Sequence, residues 1–111
     1  MFVIHEPKEI AVDRVGVKGK VFPSHQLTDK VEFLLITTET GHETTIVEHE
    51  CDFIYYVLEG NGYFEINGER EDCATADLVV IPAGNSFTYK GTLKMLLIDT
   101  PLWNERQEEV V

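Results

Sequence analysis

One imidazole and two phenols are spaced so that strand geometry would aim them at a common point: His49, Tyr55 and Tyr89. His49 lies in the stretch from Gly41 to Gly60, G-H-E-T-T-I-V-E-H-E-C-D-F-I-Y-Y-V-L-E-G. Two apolar runs rich in β-branched and aromatic residues, Thr44 to Val47 and Phe53 to Leu58, are parted there by an acidic corner, Glu48 to Asp52. Such runs read as antiparallel strands. Strand side chains alternate between faces, so an inward His49 brings Val47 and Thr45 in with it. Phe53, Tyr55 and Val57 then share the inner face of the next strand, and Phe87 and Tyr89 share that of a later one. The result is an aromatic cup of Val47, His49, Phe53, Tyr55, Phe87 and Tyr89, with three polar tips. An imidazole titrates near neutrality, which suits His49 to hydrogen-bond a ligand or to serve as a general base with Tyr55 or Tyr89 as the acid. The competing reading is that these rings only fill the interior, with His49 bonded to a tyrosine or a backbone carbonyl.

Other polar groups carry less chemistry. His42 precedes His49 by seven residues, so strict alternation puts the two on opposite faces. His5 and His25 fall on segments that periodicity does not place. Glu48, Glu50 and Asp52 would face away from the cup as a solvated corner. Ser86 has no neighbouring base to make it a nucleophile.

The elements that must position these groups are short strands. Val31 to Thr38 alternates Phe33, Leu35 and Thr37 against Leu34 and Ile36, as a central strand with both faces partly buried would. Asn67-Gly68 is the strongest turn signal, because both residues tolerate the positive φ angles of a type I′ hairpin. Leu78 to Ile81 reads as a buried strand, and Phe87 to Lys90 and Leu93 to Asp99 as two more. Before these, Phe2 to Glu9 reads as a first strand or arm, and Ile10 to Lys20 as a twisted strand or hairpin bending at Gly16 and Gly19. Trp103 is expected to anchor the chain end on the core, followed by a short helix or frayed tail over 104–111. About nine or ten strands at regular spacing, with no amphipathic helix, make an all-β sandwich or barrel.

Composition narrows the function classes. The 111 residues amount to one domain (1–111, core about 31–103, arm 1–9) with an ordinary apolar content. Nine basic residues against 20 acidic ones argue against nucleic acid or an anionic membrane as partner. No apolar run approaches the roughly 20 residues of a spanning helix. The N-terminus has no basic, apolar and cleavage-site succession, so a cytoplasmic protein is expected. In that compartment Cys51 and Cys73 are expected as free thiols.

The stretch from Gly41 to Gly91 resembles the cupin family. Gly41, His49 and Gly60 fall in register on the first cupin motif, which ends as Tyr56-Val57-Leu58-Glu59-Gly60 does. Pro82-Ala83-Gly84, after Asp77 to Ile81, matches the centre of the second. The resemblance implies a double-stranded β-helix, a jelly-roll barrel with an open mouth. It also implies a divalent metal held by three histidines and a glutamate, at positions that here carry Val47, His49, Phe87 and Phe53. Two phenylalanines and a valine offer no donor, so no metal and no other cofactor are expected.

These observations lead to a small-molecule-binding barrel whose aromatic pocket takes a sugar-like or aromatic ligand. An enzyme of the sugar isomerase or epimerase kind with His49 as base is one alternative, and an interaction module plugged by its own rings is another. A homodimer is expected, formed through the apolar arm Met1 to Glu6 or an edge strand.

Overall fold

A computed structural model of the protein describes residues 2–102 and 108–111. Among the described residues, nine strands make up a curled antiparallel sheet: β1 (Val12–Arg14), β2 (Val17–Val21), β3 (Glu32–Thr38), β4 (Ile46–Glu48), β5 (Asp52–Ile66), β6 (Glu69–Ala74), β7 (Leu78–Ile81), β8 (Ser86–Thr100) and β9 (Glu108–Val110). The neighbours run β1-β2-β3-β8-β4-β9, and β5 pairs with β6, β7 and β8. The all-β barrel is the architecture anticipated from strand spacing.

β5 and β8, each 15 residues long, are the frame. They pair from Asp52↔Thr100 to Ile66↔Phe87, with one irregularity between Val57 and Glu59. On its other edge β8 pairs with β3 through Leu93 to Asp99 and with β4 through Ser86 and Phe87. Two long strands that bend midway therefore serve both halves of the barrel. The bend demands a very close backbone approach at Gly60, whose φ is +99° and where a Cβ would collide with the carbonyl of Thr92. The core gathers along the inner faces of these two strands, where Val57, Phe64, Phe87, Tyr89 and Met95 are almost wholly buried.

The hairpin expected from Asn67-Gly68 joins β5 to β6, and both turn residues have positive φ. β1 and β2 form another hairpin, turning at Val15 and Gly16. Gly19 lies inside β2 and makes no second bend.

Five expectations need correction or limits. Phe87 to Lys90 and Leu93 to Asp99 are not two strands but parts of one, β8, which runs through Gly91 without a turn. Residues 2–9 form no strand, and Phe2 is 86% exposed, because no neighbour supplies a ladder for them. β7 is only half buried: Leu78 and Val80 alternate outward, so its apolar run covers an outer face as well as the core. Residues 108–110 are strand, paired with β4, since the short β4 leaves an edge that the chain end fills. Trp103 lies outside the described residues.

Candidate functional site

A cavity of about 230 Å³ opens between the β1–β2–β3 side of the barrel and the inner faces of β5 and β8. Apolar walls come from Val17, Leu34, Ile46 and Leu97, and Phe53 closes one side. Four polar groups reach it from the interior: His42, Tyr55, Tyr89 and Asp99. Arg14, Glu32 and Glu108 bring charge to its lining from β1, β3 and β9.

His42 is fixed by its backbone before its ring is considered. Gly41 forms an isolated bridge with Lys90, and its N–H donates to Thr38 Oγ1 at 2.8 Å. The His42 N–H donates to the carbonyl of Tyr89 at 2.8 Å. Its carbonyl accepts from Thr88 Oγ1 at 3.0 Å and from Lys90 Nζ at 2.6 Å. With the main chain so held, the ring stands edge-on to Tyr89, centroids 5.5 Å apart.

The tautomer follows from one contact. His42 Nδ1 lies 2.7 Å from the carbonyl oxygen of Thr44, which can only accept, so Nδ1 carries the proton. The longer 3.3 Å approach of the Thr44 N–H to the same nitrogen is then not a hydrogen bond. Nε2 is left with its lone pair. Burial is the largest cause holding the imidazole below its usual pKa, and Lys90 and Arg14 add to it against the opposing Thr44 bond. At neutral pH the ring is an uncharged base.

Tyr55 and Tyr89 are both buried, with ring centroids 5.5 Å apart in an edge-on arrangement. Burial keeps both phenols well above their ordinary range, so they stay protonated donors. Phe53, Phe64 and Phe87 pack edge-on or tilted around Tyr55 and fix its position.

Asp99 is 2% exposed, and its Oδ1 has no hydrogen-bond partner among the described residues. Desolvation first, then the charges of Glu32, Glu48 and Glu108, push its carboxyl up to about 8. It is mostly a neutral acid at pH 7.

Of the six residues expected to line a cup, Phe53, Tyr55 and Tyr89 line the cavity. Phe87 is buried behind them, its ring 5.5 Å from that of Phe53. Val47 is buried but outside the lining, paired with Ser86 and Glu109. His49 is the correction: its side chain is 52% exposed, with Nε2 2.9 Å from Glu109. The cause is local. β4 has the opposite phase to the one expected: Ile46 and Glu48 turn inward, so Val47 and His49 fall together on the other face, and the chain bends after Glu48. Ile46 faces the cavity, and Glu48 is buried, its Oε1 accepting from the N–H groups of Glu50 (2.9 Å) and Cys51 (3.1 Å). His42 and His49 do face opposite ways, although residues 43–45 between them are not strand, and the inner one is His42. Asp99 carried no signal beyond being a carboxylate at the end of an apolar run.

The family's metal does not fit this barrel. Val47, Phe53 and Phe87 hold three of its four ligand positions, and the fourth, His49, points outside. Cys51 and Cys73 are both buried and are not joined by a disulfide; burial and the nearby Glu48 push the Cys51 thiol up to about 12.

No protein-family model matches the chain, and no protein of curated function matches it either. Solved structures do. Pac13, described as a unique nucleoside dehydratase, is 26% identical over 90% of this chain and 82% of its own, with a TM-score of 0.84. Streptomyces PAC13 variants Y89F and Y55F, each with uridine, superpose at a TM-score of 0.85 with 25% identity, covering 90% of this chain and 81% of theirs. A sugar phosphate isomerase of the cupin superfamily from Silicibacter pomeroyi is similar at a TM-score of 0.67 and 17% identity, over 78% of this chain and 60% of its own. Barrel topology, motif turns and these likenesses agree: the chain has the cupin fold, with the usual metal-ligand positions lost.

Proposed function

We propose that this chain binds a nucleoside-like molecule in the cavity and removes water from it. The coarser part, small-molecule binding in an aromatic pocket, rests on the cavity and its few convergent polar groups. The finer part is carried by one observation: His42, Tyr55 and Tyr89 converge on a single cavity. Variants of PAC13 described with uridine are Y89F, Y55F and H42Q, and this chain has the same residue type at each of those numbers.

The chemistry is consistent with that arrangement. Eliminating water from a sugar needs a base to take a proton from a carbon acidified by an electron-withdrawing neighbour. Nε2 of neutral His42 is suited to take it. The electron pair of the broken C–H bond forms the new C=C bond as the hydroxyl on the adjacent carbon departs. The imidazolium returns the proton to that hydroxyl, so one water leaves and the imidazole is restored. Tyr55 and Tyr89 act as hydrogen-bond donors to oxygen atoms on which negative charge develops. His49, expected as the base from sequence, has no part in this step. The cavity also speaks against a barrel plugged by its own rings.

The test is turnover. Purified protein is incubated with a panel of nucleosides, including ones oxidised at the sugar, and products are analysed by mass spectrometry for loss of one water. Dehydration that falls about 10²–10⁴-fold in His42→Gln is expected. Turnover untouched by that substitution, or no nucleoside bound or altered, overturns the reading.

A further inference from the structure

The polar groups of the cavity follow an order. Phe53 on β5 stands opposite Asp99 on β8, and Tyr55 stands opposite Leu97, one inward position along. Tyr55 is therefore the next inward side chain along from the Asp99 position, and its ring centroid is 5.5 Å from that of Tyr89. Tyr89 in turn meets the ring of His42. Asp99, Tyr55, Tyr89 and His42 thus form a line along the cavity lining, with the base at one end and a buried carboxyl at the other.

Asp99 needs an explanation of its own. A buried carboxyl oxygen without a partner is costly, and Asp99 belongs to the cavity lining, where a ligand can offer its carboxyl a partner. Its neighbours do not neutralise it. Glu32 faces it from β3, Glu48 from β4 and Glu108 from β9, with Cys51 and Tyr55 on the β5 side. The cation in the cavity lining is Arg14, on β1. In this setting the carboxyl is held protonated near neutral pH, and a protonated carboxyl presents one donor and one acceptor side by side.

On the reading that the ligand is a nucleoside, we propose that Asp99 recognises its heterocycle, pairing with an amide-type N–H and C=O edge such as that of uracil. The sugar then lies at the His42 end. The preferred substrate class is nucleosides whose base carries an unsubstituted lactam edge.

The experiment is calorimetric titration of uridine and 3-methyluridine into wild-type protein, Asp99→Asn and Asp99→Leu, at pH 6.5 and 8.5. In the wild type, methylation of the base nitrogen is expected to weaken binding about tenfold or more. Wild-type affinity for uridine should fall about fourfold between the two pH values as a group titrating near 8 ionises. Asparagine keeps one donor beside one acceptor, so Asp99→Asn should bind uridine as the wild type does at pH 6.5 and lose the pH dependence. Asp99→Leu should bind about tenfold more weakly at both. Equal wild-type affinity for the two nucleosides overturns the assignment and needs no variant. So do uridine binding indifferent to Asp99→Leu, loss of binding in Asp99→Asn, and affinity that rises with pH. If uridine binds and His42→Gln abolishes turnover while Asp99 is indifferent, only this inference falls. If wild-type protein binds neither nucleoside, the functional reading falls and this one with it.

Discussion

His42 Nδ1 and the carbonyl oxygen of Thr44 are 2.7 Å apart, and this bond decides which nitrogen of the imidazole is a base. It should be visible directly. Nitrogen-15 NMR of the imidazole at pH 7 is expected to show a protonated Nδ1 and a bare Nε2, with a midpoint below 6.5. Because the base works only when neutral, dehydration should persist at neutral pH and be lost as pH falls through that lowered midpoint. A charged ring at pH 7 would contradict the assignment.

Asp99 should leave a mark on stability. Its carboxyl titrates near 8 in the folded chain and near 3.8 when unfolded, so the folded state binds the extra proton between those values. Stability is therefore lost as pH rises from about 4 to about 8, and the full cost remains above that. Asp99→Asn removes the cost. Thermal melts should show the variant more stable than wild type at pH 8, with the difference shrinking toward pH 4. A constant difference across that range would mean that Asp99 is not the titrating group.

β9 closes the site. Glu108 and Val110 contribute to the cavity lining, and the strand pairs with β4 through three residues. Deleting residues 108–111 uncovers Ile46, and the expected cost is about 1–3 kcal/mol in denaturant unfolding. Uridine affinity should fall as well. Unchanged affinity with unchanged stability would show that the strand is not part of the wall.

Tyr56 and Leu78 pair across β5 and β7, as do Ile54 and Val80, and three of these four side chains are exposed. An apolar outer face on a strongly acidic chain favours self-association through that face. Sedimentation is expected to give a homodimer at micromolar concentration, and Leu78→Lys with Val80→Lys a monomer. Deleting residues 2–6 tests the exposed arm, Phe2 and Val3, as the alternative contact. A monomeric wild type contradicts both.

The barrel was legible because its signals are local. Asn67-Gly68 carries its own turn chemistry, and the alternation from Val31 to Thr38 persists long enough to define two faces. Tyr55 and Tyr89 were found for the same reason, lying well inside 15-residue strands. His42 and His49 were exchanged because β4 lasts only three residues, too few to show which of its faces turns inward, and that face carries Ile46 and Glu48. The inward Glu48 was the missed clue, since its carboxylate is used by the backbone N–H groups of its own corner. Asp99 and β9 belong to contacts distant in sequence, which periodicity does not report.

A structure determined with uridine at saturating concentration would show where the nucleoside sits. The expected result is one nucleoside inside the barrel, its sugar within hydrogen-bond reach of His42 Nε2 and the Tyr89 hydroxyl. Uridine bound outside the barrel, or a cavity left empty while the solution is saturated, would contradict it.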